Sequence, residues 1–246
     1  MKAANSFLIM LFMLTMISCS DSGTEIKNPT IDELYKNAMI DVMIADENEI
    51  SNNLIPVTKG NSYLNWKVIE GKDYVLGLIF TPYESSYPIG DTISTFWGET
   101  WISLVPELKD YYENKQFSND SILYLNIHQL LGLPNENNFS RYFVEVWVDP
   151  DSIFRPSPDN EITDSKAELQ FPDNTPEIYK IWFNNNILNS YFPNGLNAKK
   201  YPWTRLGYTY NWSFDANEQG LSEYVLRKNS KIVIRSKAIP REYLND

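Results

Sequence analysis

Apolar side chains recur along this chain at two spacings. From Ile31, the positions Ile31, Leu34, Tyr35, Ala38 and Val42 follow the helical period. The preceding "TIDE" (30–33) is a capping box, with Thr30 as N-cap and Glu33 reaching back, so a helix is predicted over about 31–44. "YLNWKVIEGKDYVLGLIFT" (63–81) reads as two strands around "EGKD", a hairpin signal. After a loop, "TFWGETWISLV" (95–105) returns to strand and Pro106 opens a short helix. "SILYLNIHQLLGL" (121–133) is one helix or a strand passing into a helix, stopped by Gly132 and Pro134. In "RYFVEVWVDP" (141–150) alternation puts Phe143, Glu145 and Trp147 on one face and Val144, Val146 and Val148 on the other. Residues 175–192 predict a helix with Ile178, Ile181, Trp182 and Leu188 inward. "WTRLGYTYNWSF" (203–214) alternates, with Leu206, Tyr208, Tyr210 and Trp212 on one side. Residues 221–239 predict a last hairpin around "RKNS".

The order is helix, strands, helix, strand, helix, strands. It lacks the regular strand–helix alternation of a parallel doubly wound sheet. The expectation is an α+β fold: a mostly antiparallel sheet with helices packed against it, in a single domain over 30–246. Residues 19–29, small and polar, form a flexible tether.

The N-terminus breaks both periods. After Lys2, "FLIMLFMLTMI" (7–17) is apolar but about half the ~20 residues that a bilayer span needs. A positive start, a short apolar core and a small residue describe an export signal over 1–18. "MISC" (16–19) then resembles the lipobox of bacterial lipoproteins, which signal peptidase II cuts before the cysteine. That resemblance covers about the first 20 residues. It implies diacylglycerol on Cys19, acylation of the new amino terminus with palmitate-like chains, and anchorage to a bacterial membrane. An outer membrane or cell surface ranks ahead of the inner membrane. Cys19 is the only cysteine, so the chain has no internal disulfide and depends on its core for stability.

The formal charge is −11. It argues against nucleic acid, whose phosphates need a basic face. It also argues against broad docking on anionic headgroups. Partners are then the membrane, through the N-terminal lipid, and an envelope protein or glycan. Aromatic residues make up 14 % of the chain, including 7 Trp and 16 Tyr, a mix that suits stacking recognition but also suits strands.

Candidate chemistry is sparse. His128 is the one histidine, so neither a His-rich metal set nor a second imidazole exists, and its apolar neighbours favour a core or helix-end role. No GxSxG, GxxxxGK[ST] or GxGxxG occurs. "DPDSIFRPSPDNEITD" (149–164) gathers Asp149, Asp151, Asp159, Glu161 and Asp164 beside Arg155, yet it lacks the spacing and glycine of a calcium loop. No metal and no cofactor are expected. "YPWTRLGYTYNW" (201–212) offers Trp203, Arg205, Tyr208 and Tyr210 as a stacking platform with an arginine fork. The competing reading is a sheet face packed on a helix, with Arg205 pairing an acid such as Glu161.

These two blocks with "GLSEYVLR" resemble segments of uncharacterised bacterial proteins over roughly 142–227. The resemblance implies a recurring domain and carries no activity. The functional expectation is a non-enzymatic envelope lipoprotein that binds a protein or glycan through Arg155, Asp159, Glu161, Trp203, Arg205, Tyr208 and Tyr210. The rivals are a lipid-tethered hydrolase using the loop carboxylates, and a protective inhibitor or immunity-type protein.

Overall fold

The computed structural model describes residues 28–136, 140–195, 198–214 and 217–245. The expected signal, Cys19 and most of the tether lie outside them. The fold is α+β, built on an eight-stranded sheet in which every pairing is antiparallel.

Helix α1 (Ile31–Asp41) begins as expected: both bonds of the Thr30–Glu33 capping box are present. It ends three residues early. Strand β1 (Trp66–Ile69) and β2 (Lys72–Thr81) form the expected hairpin. Glu70 and Gly71 both take positive φ, 51° and 81°, which suits a two-residue turn that follows the strand twist. Next come the short β3 (Thr92–Ser94) and β4 (Thr100–Leu104). The expected single strand over 95–105 is therefore a turn followed by a strand. Helix α2 (Glu107–Tyr112) follows Pro106, and α3 (Asp120–Leu130) is one helix capped by Asn119, whose Oδ1 accepts from the Ile122 amide. Strands β5 (Tyr142–Val148) and β6 (Ile153–Phe154), helix α4 (Glu177–Tyr191), β7 (Tyr208–Tyr210), β8 (Gln219–Ser222), β9 (Tyr224–Leu226), β10 (Lys231–Ala238) and α5 (Pro240–Asn245) complete the chain.

The sheet order is β3-β10-β5-β2-β4-β9-β6, with β1 beside β2, while β7 and β8 pair separately. Alternation on β5 holds. Phe143 and Trp147 join Leu76 and Leu78 under α2, α3 and α5. Val144, Val146 and Val148 join Val75 and Ile79 on the opposite face, under Ile55, Val57 and Leu64. The buried Glu145 on the helix-covered face is fully employed. It accepts from Arg235 (2.7 Å), Ser236 (2.9 Å) and Tyr243 (3.0 Å).

Three expectations are corrected. The final hairpin does not form, because β9 pairs with β4 and β6 while β10 pairs with β5 and β3. The turn at 227–230 exists, but buried Thr95 holds it through the Asn229 and Ser230 amides and the Arg227 carbonyl, so its flanks can diverge. Only 208–210 of the stretch 203–214 is strand, and burial there does not alternate: Tyr208, Thr209, Tyr210 and Asn211 are all buried. In α4, Ile178, Ile181 and Leu188 face solvent at 75 %, 49 % and 56 % exposure. Trp182 packs inward as expected, and the rest of the inward stripe is Tyr179, Phe183, Ile187 and Ser190. Aromatic rings at 179, 182 and 183 bury more area than isoleucines, and they meet Phe154, Phe171 and Trp203.

Candidate functional site

Two cations hold the acidic loop: Lys72 pairs with Asp149 (2.5 Å) and Asp151 (3.2 Å) at its start, and Arg155 organises the rest. Arg155 is fully buried, and its guanidinium reaches Asp164 Oδ1 (2.5 Å), the Lys166 carbonyl (2.7 Å) and the Asp164 carbonyl (2.6 Å). Its stem fills the space above Gly207, where a Cβ would lie 2.6 Å from Arg155 Cδ. Gly207 also takes φ +75°, so that position requires glycine twice over. Asp159 accepts from the Glu161 amide (3.3 Å), and burial pushes its carboxyl upward. Glu161 is exposed and bonds Thr163. The loop closes around Arg155, and neither Asp159 nor Glu161 reaches a cavity described below.

Arg205 is not paired with Glu161. Its Nη2 donates to the carbonyls of Val42 (3.1 Å) and Met43 (3.2 Å), just past the end of α1, and its guanidinium lies 5.7 Å from the Tyr191 ring. It thus closes α1 where free carbonyls favour a cation, which gives a physical reason for the early stop. Tyr208, Tyr210 and Trp212 are 5 %, 7 % and 3 % exposed, so they do not make a surface stacking face. Their polar tips go to the Glu49 carbonyl, Asp41 Oδ2 and the Leu133 carbonyl respectively. Beside them, carboxylate oxygens of Asp41, Glu49 and Glu218 lie within 4.8 Å of one another. Burial, then the neighbouring acids, raise Glu49. His128 is buried. Its Nδ1 bonds the Pro134 carbonyl (3.0 Å), and burial lowers its pKa, so it sits neutral at the end of α3.

Trp203 belongs to a different feature. A cavity of about 420 Å³ lies between the helix-covered sheet face and α4. Leu78 and Phe80 of β2, Phe143 of β5 and Trp101 to Ser103 of β4 form one side. Asn186, Asn189 and Ser190 of α4 form another. Segments 131–133 and 201–203, with Thr209 and Tyr210, close it. Asn189 and Tyr201 are exposed and mark the mouth.

The walls carry three buried polar atoms without a partner: Asn186 Nδ2, Trp203 Nε1 and Glu223 Oε2. Burial alone pushes the Glu223 carboxyl up to about 8, so it is largely neutral at pH 7. A second enclosed acid, Glu107, is also raised to about 8 by burial, although it accepts from the Ser222 amide (2.9 Å) and hydroxyl (3.0 Å). Orphaned buried polar atoms are uncommon and costly in proteins. Three of the residues that line this cavity carry one each, which makes it the candidate site.

Sequence reasoning named two residues of this wall, Trp203 and Tyr210, as parts of a stacking platform, and missed Glu223, Asn186 and Ser190. The signal was present. In "LSEYVL" Glu223 occupies the face of Leu221 and Val225, and Asn186 and Ser190 sit on the buried stripe of an aromatic helix. A polar residue in a core register is the informative exception.

No helix among the described residues is long and apolar enough to cross a membrane. Comparison with protein-family models, with curated proteins and with solved structures returns no match.

Proposed function

We propose that this chain is a cell-envelope lipoprotein, anchored through Cys19, whose α+β domain binds a small ligand in the cavity lined by Glu223, Asn186 and Trp203 without transforming it. The observation that carries the reading is the coincidence of an aromatic-walled cavity of ligand size with three unpartnered buried polar atoms. A folded chain gains little from leaving such atoms bare, whereas a ligand that bonds them recovers the cost. Binding without catalysis is supported by the donor set. Among the described lining residues Glu223 is the one carboxyl, and hydrolysis of glycosides by paired acids needs two. The anchor rests on the lipobox-like "MISC".

Two experiments test the two halves. Cys19→Ser should leave the polypeptide uncleaved and without incorporated fatty acid, and normal processing of that variant would remove the anchor. For the cavity, a panel of small polar compounds that includes saccharides should contain at least one that raises the melting temperature of the wild-type chain, and Asn189→Trp at the mouth should abolish that rise; equal stabilisation would place binding elsewhere.

A second reading, recognition of a protein, is favoured by one feature. Ile178, Ile181, Leu188 and Phe192 leave an apolar ridge on the outer side of α4 and its end. Replacing Ile178 and Leu188 with glutamate would weaken protein capture and leave the cavity unchanged.

A further inference from the structure

Resting on the cavity reading above, we infer that the ligand is a carbohydrate, with a sugar ring seated against the aromatic wall and its hydroxyls bonded to Asn186, Trp203 and Glu223.

The three orphan atoms define what a ligand must bring. Asn186 Nδ2 and Trp203 Nε1 only donate, so they require two acceptors. Glu223 Oε2 requires a donor when ionised, and a neutral carboxyl both donates and accepts. An organic cation would satisfy Glu223 and leave both N–H groups bare. A phosphate or carboxylate would satisfy the N–H groups but would bring its charge into a cavity whose described lining holds no Lys, Arg or His to offset it. An acyl chain would satisfy none of the three. A hydroxyl donates and accepts at one atom, so neighbouring ring hydroxyls satisfy all three groups with one ligand type.

The remaining wall fits the rest of a sugar. Trp101 and Trp203 meet edge to face at 5.9 Å, and Phe80 and Tyr201 also line the space. The faces of aromatic rings are electron-rich and attract the weakly positive C–H faces of a pyranose. The volume also fits. At about 30 Å³ per water, the cavity corresponds to roughly fourteen waters, room for about one or two six-membered rings. Burial keeps Glu223 largely uncharged near neutral pH, which suits an uncharged ligand.

The test is calorimetry on the full chain in detergent. The probes are D-glucose, D-galactose, N-acetyl-D-glucosamine, cellobiose, phenethylamine and decanoate. At least one saccharide should bind. Glu223→Leu and Asn186→Leu should each weaken it at least tenfold, about 1.4 kcal/mol. Glu223→Gln keeps a donor and an acceptor and should stay within about threefold of wild type. Asn189→Trp should abolish binding. Melting curves of each variant confirm folding, with Asn186→Ala replacing any that fails. If phenethylamine or decanoate binds, no saccharide does and Asn189→Trp blocks it, the carbohydrate class is overturned while the cavity stands. Saccharide binding unaffected by Glu223→Leu and Asn186→Leu overturns the assignment of these groups. If no probe binds, both the class and the cavity reading fall.

Discussion

Replacing Glu223 with glutamine should stabilise the protein at alkaline pH and leave it unchanged at acid pH. The enclosed carboxyl is raised from 4.5 to about 8. Below about pH 4.5 the group is protonated in both folded and unfolded chains, and it costs nothing. As pH rises from there to about 8, the unfolded chain releases the proton while the folded chain keeps it. The folded state then binds more protons, and unfolding free energy falls by about 1.4 kcal/mol per pH unit for each such group. Above about 8 the penalty is constant. The full shift corresponds to about 5 kcal/mol. Glu223 lies on a cavity wall, where solvent can screen the charge, so we take about 2–3 kcal/mol as the working figure. Glu107, raised by the same cause to about 8, adds a second, parallel slope. Urea unfolding at pH 5 and pH 8.5 measures the effect. Glu223→Gln should match wild type within about 0.5 kcal/mol at pH 5 and exceed it by about 2 kcal/mol at pH 8.5. Glu49 and Asp159 are also raised, but they are present in both proteins and cancel in the comparison. Identical losses of stability by variant and wild type across that range would refute the claim that this carboxyl is held neutral.

Arg155→Met should destabilise the fold by roughly 3–5 kcal/mol in urea titration, because it strips the hydrogen bonds that close the 149–164 loop and leaves their carbonyls unmet. Gly207→Ala, which forces a Cβ against Arg155 at a positive φ, should cost about 2 kcal/mol or more and lower the melting temperature; no change would mean the backbone relaxes freely there. Arg205→Ala should cost about 1 kcal/mol by removing the cation from the end of α1, with ligand affinity unchanged. Altered affinity in that variant would assign Arg205 to binding after all.

Local order was written in the chain. The "TIDE" cap, the "EGKD" turn and the two faces of "FVEVWV" depend on neighbours within a few residues, and each appears as read. The helix at 175–192 was legible too, with Trp182 on its inward face, but not the rest of that face. That choice depended on Phe154, Phe171 and Trp203, which lie far along the chain and present aromatic partners to the rings of α4. The divergence of β9 from β10 was equally invisible, since Thr95 holds their turn from about 130 residues away.

The same division governs function. Sequence alone determined the class of fold and the acidic net charge, because composition and short-range periodicity carry those, and it holds the lipobox-like "MISC" on which the proposed anchor rests. It also flagged Trp203 and Tyr210, although as surface groups. Only the tertiary structure turned those rings inward and enclosed Glu223. It also set Asn186 on the facing helix and spent Arg155 and Arg205 on carbonyls of the protein itself. A cavity is a gap between elements distant in sequence, and its chemistry lies in what is left unpaired once those elements have packed.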